Sequence, residues 1–586
     1  MNDLITGWKM QLALELEIEQ LEAIQDQNGI AIELINTSTG LGGRCIAKIK
    51  SVNPLNEWTI RNGDIIRLLK MDKSAVVYKV SSSFVYLAFE DEIDFNHDKL
   101  IKLPNTVMYT RIDKVLDGLP LINNSLIDIC FNNKKPQFIS SDFEFIDLQL
   151  NEQQRIAVDK SIQSIDIHAI HGPPGTGKTQ TLIEIIRQLF IKTKTILICG
   201  PSNLSVDNIV ERLSNVNIPC LRIGHPARLL PSVQDKALEY IVDNCTFGGE
   251  VLHDIKQEID SLNRKVHSCK SKRDKYLLYK DIRELKKEFK KREKKVIFEQ
   301  THKFLIHCCT LSNAMNKHTR DYYDVVIIDE VCQAIEPECW IALQKSSKAI
   351  IAGDPLQLSP VVKSKPNKLA NLEISLMERV LKSTAVCTLL QVQYRMNKEI
   401  NAFPSKHIYN DKLVCHNSNE NIRITDHFKV EEEFTFPVVF YDNLHQSIEL
   451  QDDSKSIYNE GELQNIKEVV DSLIKNNIPE SFIGVIAAYN AQVSRLKVLL
   501  PYKDIEIGTV DGFQGREKEI ILISTVRCND DHSIGFLSEK RRMNVAITRA
   551  KMLLILFGDS ETMERNEFLT SLLDWASMES LYYYHD

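Results

Sequence analysis

Eight consecutive residues carry the plainest chemistry in the chain: Gly172, Pro173, Pro174, Gly175, Thr176, Gly177, Lys178 and Thr179. They fit G-x-x-x-x-G-K-[ST], follow the apolar run 168–170 and open the helical run 182–189. That is the strand–loop–helix context in which such a loop cradles phosphate. The glycines let backbone N–H groups curl around phosphate oxygens, and the helix start adds partial positive charge. Lys178 is placed to reach the β- and γ-phosphates of ATP, and the Thr179 hydroxyl to ligate Mg²⁺. Asp329 and Glu330 close the apolar run 325–328. At a strand end both carboxylates face the phosphate loop. Asp329 is expected to hold Mg²⁺ through water, and Glu330 to orient and deprotonate the attacking water. An Asp-Glu pair alone is a weak signal; beside a phosphate loop it is a strong one.

These residues need a scaffold. After Leu150 apolar strand-like runs alternate with helical ones, among them TILICG, VVIIDE, KAIIAGD, IGVIAAY, IILISTV and LLILFGD. Alternating β and α segments predict parallel sheets covered by helices. Two groups of runs predict two α/β domains, one over 123–250 and 300–383, the other over 384–586. Residues 4–27 predict an amphipathic helix with Leu14, Ile18 and Leu21 in its stripe, joined by Trp8 and Leu12. Short β-type runs fill 30–103, broken by Gly40, Gly42, Gly43 and Asn62-Gly63. They predict a small barrel, so 1–122 forms a helical stalk plus β-barrel. The polar stretch 123–141 reads as a linker. Residues 251–299 interrupt the first α/β group as a helical hairpin, with stripes Ile255, Ile259, Leu262, Val266 and Leu278, Ile282, Leu285, Phe289.

The chain has 586 residues and a formal net charge of −8, with 43% hydrophobic and 26% charged residues. Those fractions exclude a mainly disordered chain, a collagen-like fibre and a small disulfide scaffold. A net acidic chain argues against a nucleic-acid partner only if the charge is evenly spread. It is not: 264–295 holds 15 Lys/Arg against 5 Asp/Glu, a local +10 that leaves −18 elsewhere. The basic hairpin is thus a candidate nucleic-acid surface. Thirteen cysteines without a C-x-x-C predict reduced thiols in a cytoplasmic or nuclear protein. His302, His307 and Cys308 lack a second ligand pair at zinc spacing. There is no cationic start with an apolar core at the N-terminus and no 18-residue apolar run, so neither a secretory signal nor a membrane span is expected.

The remaining motifs form an ordered series. LNEQQ (150–154), GPPGTGKT (172–179), GPSNLSVDN (200–208), RIGHPARLL (222–230) and DEVCQA (329–334) come first. GDPLQLSP (353–360), VQYRMN (392–397), IAAYNAQV (486–493), TVDGFQGREKE (509–519) and NVAITRAK (544–551) follow. The set resembles a superfamily 1B helicase, most of all the immunoglobulin-mu-binding type. RIGHPARLL and TGLGGR (39–44) are its more specific pointers. The resemblance covers nearly the whole chain. It implies two tandem RecA-like domains and an ATP-dependent helicase or translocase moving 5′→3′ on single-stranded DNA and/or RNA. By the same resemblance Gln154 reads the adenine edge, which suits an amide that donates and accepts at once. Tyr394 stacks on the base, and Gln357 senses the γ-phosphate. Arg395 and Arg549 are the arginines supplied from the second α/β domain, able to bind developing phosphoryl charge bidentately. Gly515 and Glu517 lie near γ-phosphate and ribose, while Ser202, Asn203 and Thr509 contact phosphodiesters.

The sequence departs from the family pattern in places. Val331 and Cys332 stand at small-residue positions, Pro355 replaces a frequent His, and CTLSNA (309–314) diverges. Accessory nucleic-acid-binding and zinc modules of larger relatives are not expected, nor is oligomerisation. One alternative from another class uses the same site: an ATP-gated clamp or ribonucleoprotein assembly factor that separates no strands.

Overall fold

The computed structural model describes residues 1–586 apart from 26–28, 40–43, 53–59, 61–62, 82, 91–92, 94, 104–105, 123, 133, 246–247, 270, 384–385, 444–447, 454, 580–581 and 585–586. Gly40, Gly42, Gly43 and Asn62 therefore lie outside the described residues. Helix α1 (Asn2–Gln25) opens the chain. Its buried face is Ile5, Trp8, Gln11, Leu12 and Glu15, whereas Leu14 and Leu21, expected in the stripe, are exposed. Polar partners decide the face. Gln11 accepts from the Leu372 amide at 3.1 Å and Glu15 accepts from the Ser364 amide. Apolar spacing alone does not register such bonds.

Strands β1 (Ile30–Thr39), β2 (Cys45–Ser51), β3 (Ile65–Leu68), β4 (Lys73–Val80), β5 (Val85–Phe89) and β6 (His97–Leu103) close an antiparallel barrel in the order β1-β2-β5-β4-β3-β6. Alternate residues such as Ile32, Ile49, Leu68, Val77 and Leu87 fill its interior, as the two-residue period of a strand requires. Helices α2 (Thr106–Gly118) and α3 (Ser125–Asn132) follow. The second corrects the expected linker: Leu126, Ile127, Ile129 and Cys130 bury one helical face within the polar stretch.

The first α/β domain holds α4 (Glu152–Gln163), α5 (Lys178–Ile191) and α6 (Asn203–Asn215). Its strands are β7 (Ile167–His171), β8 (Ile196–Gly200), β9 (Leu221–Arg222), β10 (Ile306–Thr310), β11 (Val325–Ile328), β12 (Ala349–Gly353) and β13 (Cys387–Leu389). They pair in parallel in the order β13-β7-β12-β11-β8-β10-β9. Parallel pairing brings every strand's C-terminal end to one edge, where ligands bind in open α/β sheets. Strand β13 lies beyond the expected boundary at 383, because it pairs with β7 from Cys387 to Leu389. Between β9 and β10 come α7 (Leu238–Asp243) and the antiparallel pair α8 (Gly249–Ser268) and α9 (Lys272–Lys303), with α8 against β1 of the barrel.

The second α/β domain begins with a small pair, β14 (Val392–Gln393) and β15 (Val414–Cys415). Its main strands are β16 (Val438–Asp442), β19 (Ile483–Ala487), β20 (Glu506–Thr509), β21 (Lys518–Ser524), β22 (Ala550–Gly558) and β23 (Tyr582–Tyr584), in the order β20-β19-β21-β22-β16-β23, all parallel. A short antiparallel ribbon, β17 (Leu450–Gln451) with β18 (Ile457–Tyr458), lies outside that sheet.

Trp340 on α10 (Glu336–Leu343) ties the N-terminal helices to the first sheet. It is fully buried, donates to Glu336 Oε1 at 3.1 Å and packs on Phe131 of α3 at 5.2 Å between ring centroids. Phe131 in turn meets Trp8 of α1 at 6.2 Å. Trp340→Ala is expected to cost about 3–5 kcal/mol and to lower the first domain's melting temperature by roughly 10 °C. A calorimetric scan showing no shift contradicts this packing role.

Candidate active site between the two sheets

The phosphate loop leaves the end of β7. Gly175 and Gly177 take positive φ of 71° and 73°, a conformation side chains other than glycine strain to adopt. The Thr176 hydroxyl donates to the Pro173 carbonyl at 2.7 Å, and the Gly172 amide donates to the Gly353 carbonyl at 3.0 Å. The loop is thereby tied to the end of β12, and Lys178 and Thr179 fall in the first turn of α5. Asp329 and Glu330 leave the end of β11, with Glu330 at φ +54°. Lys178 Nζ is ion-paired with Glu330 and lies 3.3 Å from Asp329. Gln333 donates to the second Glu330 oxygen at 2.8 Å. Burial opposes the Lys178 charge, but the charges of Asp329 and Glu330 overcome it and raise its pKa. Burial, reinforced by the Glu330 charge, raises the Asp329 carboxyl in spite of Lys178.

Between β7 and β11 stands β12, whose end carries Asp354 and Gln357. Asp354 is buried and accepts from His171 Nε2 at 2.9 Å, Gln357 Nε2 at 2.7 Å and the Tyr409 hydroxyl at 2.7 Å. Burial alone raises its pKa; the His171 contact and the other donors turn the balance and lower it. Tyr409 belongs to the second domain and also accepts from Asn544 Nδ2 at 2.9 Å. Asp354 and Asn544 sit inside the motif series without an expected role, and Tyr409 sits in none of the motifs. No local sequence pattern announces a contact between chain segments 55 and 135 residues apart.

The two arginines face the loop from the other side. The Tyr394 amide donates to the Gly175 carbonyl at 2.8 Å, and a Cβ on Gly175 would meet Arg395 Cβ at 2.7 Å. Arg395 Nε donates to Glu517 at 2.6 Å and Nη1 to the Thr548 carbonyl at 3.0 Å. Burial pushes the Glu517 carboxyl up, and the Arg395 and Lys551 charges outweigh it, for a net fall. Arg549 is 2% exposed and donates to the carbonyls of Val545 and Arg516 at 2.9 and 3.1 Å and to Gln357 Oε1 at 3.3 Å. Among the described residues no carboxylate pairs with Arg549. Burial, with the nearby Arg395 charge, lowers its pKa to about 9.

Gln154 is buried: its Oε1 accepts from the Asn151 amide at 3.0 Å and its Nε2 donates to the Thr176 carbonyl at 3.1 Å. Tyr394 is partly exposed; its hydroxyl accepts from Asn151 at 3.0 Å and its ring packs on His416 at 4.6 Å. Gly515 has φ +78°, and a Cβ added there would meet nothing within 4 Å, so space is open beside it. The candidate nucleic-acid residues make local bonds. Ser202 caps α6 by accepting from the Ser205 amide at 3.1 Å, Asn203 accepts from Arg222 at 3.0 Å, and Thr509 accepts from the Gly512 amide at 3.3 Å. Cys332 is buried, and burial raises its thiol pKa, so it is not an exposed redox group. Among the described residues no group of three or more His, Cys, Asp or Glu could hold a metal. Mg²⁺ carried in on a nucleotide needs only one or two protein ligands, and the Thr179 and Asp329 donors fit that demand.

A phosphate loop, an acidic pair and two cross-domain arginines between parallel sheets define a nucleoside-triphosphate-hydrolysing motor. A family profile described as "AAA domain" matches residues 149–365, and a second with that description matches 372–561. The DNA polymerase alpha-associated DNA helicase A of Schizosaccharomyces pombe is 40% identical over 86% of this chain and 80% of its own length. The protein of that name from Saccharomyces cerevisiae is 36% identical over 97% and 94%. The DNA-binding protein SMUBP-2 of Rattus norvegicus is 34% identical over 97% of this chain and 62% of its own length. The chain belongs to the Upf-like group of superfamily 1 helicases, in its SMUBP-2 type.

Lys178→Ala is expected to abolish ATP turnover; turnover near the parental rate contradicts the site. Glu330→Gln is expected to bind ATP yet lose at least 10²-fold in hydrolysis, measured in single turnover. Tyr409→Phe removes the bridging hydroxyl and leaves the phosphate loop intact. It is expected to cut nucleic-acid stimulation of the ATPase about tenfold, with ATP affinity unchanged. An unaltered stimulation ratio contradicts coupling through this contact.

Proposed function

We propose that the chain is an ATP- and Mg²⁺-dependent helicase that moves 5′→3′ along single-stranded DNA or RNA. The observation that supports this best is the division of the site: Lys178 stands on one domain, Arg395 and Arg549 on the other, and Arg549 donates across to Gln357 Oε1 at 3.3 Å. In the proposed cycle the β- and γ-phosphates replace Asp329 and Glu330 as partners of Lys178. Thr179 and Asp329 would hold Mg²⁺, which would neutralise charge on the phosphates. Glu330, released from Lys178, accepts the proton of the attacking water. Arg395 and Arg549 then stabilise the charge that builds on the γ-phosphoryl group, an effect worth about 10³–10⁵ in rate. Gln154 and Tyr394 take the adenine, and Gly515 and Glu517 border the γ-phosphate and ribose.

Nucleotide that satisfies both halves favours the closed arrangement, and hydrolysis removes that bias. Gln357 links the events, because it touches Asp354 on its own domain and Arg549 on the other. Ser202 and Asn203 follow β8, and Thr509 ends β20, so the strand-contacting candidates lie at the corresponding edges of the two sheets. A strand across both edges is gripped by hydroxyls, amides and helix starts and advanced as the domains close and open.

Unwinding of a duplex with a 5′ single-stranded tail tests this reading. The expected outcome is ATP-dependent strand separation with the 5′ tail and little with a 3′ tail. Strand-stimulated ATPase without separation from either tail overturns the helicase reading in favour of an ATP-gated clamp.

A further inference from the structure

The motor leaves one surface outside the cleft unused. On α9, Tyr276, Lys280, Arg283, Lys287, Lys290 and Lys294 follow one another at steps of four, three, four, three and four residues, and all six are exposed. At about 100° per residue this spacing makes one straight stripe. The opposite face carries Ile282, Phe289, Glu293 and Val296, which are buried, with Leu278 and Leu285 half-buried beside them. The helix is therefore held by its apolar side and shows an unbroken cationic line to solvent. Ion pairs on α9 lie off the line: Arg292 pairs with Glu288 and Lys295 with Glu299. Among the described residues none of the five cations in the stripe has a carboxylate partner. A chain of net charge −8 that keeps five such cations in register and unneutralised presents a surface complementary to a polyanion.

The geometry points to the double-stranded arm of the substrate as the occupant. We propose that the α9 stripe binds duplex nucleic acid along its phosphate backbone, outside the cleft that holds the single strand. From Tyr276 to Lys294 the stripe runs about 27 Å, or roughly eight base pairs of axial length. It is a convex ridge on a two-helix hairpin. Its six side chains are all exposed, so among the described residues nothing covers a strand laid along it, and with α8 at its back it is too broad to sink into a groove about 12 Å wide. A duplex presents twice the axial charge density of one of its strands, on a surface that is already rigid. Contacts of this kind, Lys and Arg to phosphate and a Tyr hydroxyl beside them, carry no sequence information. The barrel neighbours the hairpin through α8, which sets the ridge beside the body of the motor. The inference rests on the helicase reading only for the identity of the arm; its test needs no ATP.

The test compares the parent with the full-chain variant Lys280→Ala, Arg283→Ala, Lys287→Ala, Lys290→Ala. The probes are a blunt 20-base-pair duplex and a single strand of the same length, each titrated without nucleotide across a salt series. Expected is about tenfold or greater weakening on the duplex near 0.1 M salt, with a log–log salt slope shallower by about 3–4. Single-strand affinity and strand-stimulated ATPase stay at parental values. The variant Lys280→Arg, Lys287→Arg, Lys290→Arg keeps the parental slope. Equal losses on duplex and single strand, or no loss on the duplex, overturn the proposal. An ATPase that no nucleic acid stimulates in the parent overturns the functional reading instead, so the two failures are distinct.

Discussion

Lys178, caught between Asp329 and Glu330, is the contact on which the rest of the site depends. The three charges come from one edge of the first sheet, one loop after β7 and one turn after β11, with β12 between them. A buried ammonium is costly unless paired, and the pair of carboxylates meets that need while no phosphate is bound. In the proposed cycle the same two carboxylates serve the metal and the attacking water. They serve those ends only when Lys178 lets them go. On that reading nucleotide binding is an exchange of partners: phosphate oxygens take Lys178, and the carboxylates become available for chemistry. Arg395 stands in the same relation to Glu517. Arg549 differs. It is buried against carbonyl oxygens and one amide oxygen, with burial lowering its pKa to about 9. Of the three cations it has the most to gain from an incoming anion.

On the same reading the exchange reaches the second domain through side chains that bond across the interface. Asp354 takes donors from His171 and Gln357 on its own domain and from Tyr409 on the other. Gln357 presents its amide nitrogen to Asp354 and its oxygen to Arg549. Neither side chain can follow a movement of Arg549 toward phosphate without changing a bond at the other end. A largely buried network of this kind has discrete arrangements and not a continuum. On the proposed reading it offers a path from the γ-phosphate to the second domain, whose strand β20 ends at Thr509.

Much of the site is legible in the sequence because its chemistry is local. Phosphate loops need glycine at positive φ, and both Gly175 and Gly177 adopt it. A carboxylate pair at a strand end needs only an apolar run before it, and 325–328 provides one. The illegible parts depend on distant partners. Tyr409 bears on the site through Asp354, far away in the chain. The buried face of α1 includes Gln11 and Glu15 meeting residues 364–372, so Trp8 and Leu12 of the expected stripe are buried while Leu14 and Leu21 point to solvent. The 123–141 stretch reads as a linker because polar residues outnumber apolar ones in it, yet Leu126, Ile127, Ile129 and Cys130 fit one buried face of α3. The boundary near 384 moves because β13 follows it in sequence yet completes the first sheet. Ser202 shows the converse limit. Its residue type suits a phosphate and a helix cap equally, and here its oxygen caps α6.

The central claim is that the second domain completes the first domain's active site. The most direct measurement is ATP binding and single-turnover hydrolysis by Arg549→Ala, with saturating single-stranded nucleic acid. The guanidinium donates to Val545, Arg516, Gln357 and Thr548 and not to the phosphate loop, so ATP affinity is predicted to stay within a few-fold of the parent while the hydrolysis rate falls about 10³-fold or more. Hydrolysis at the parental rate would contradict a shared site and leave the two domains chemically independent.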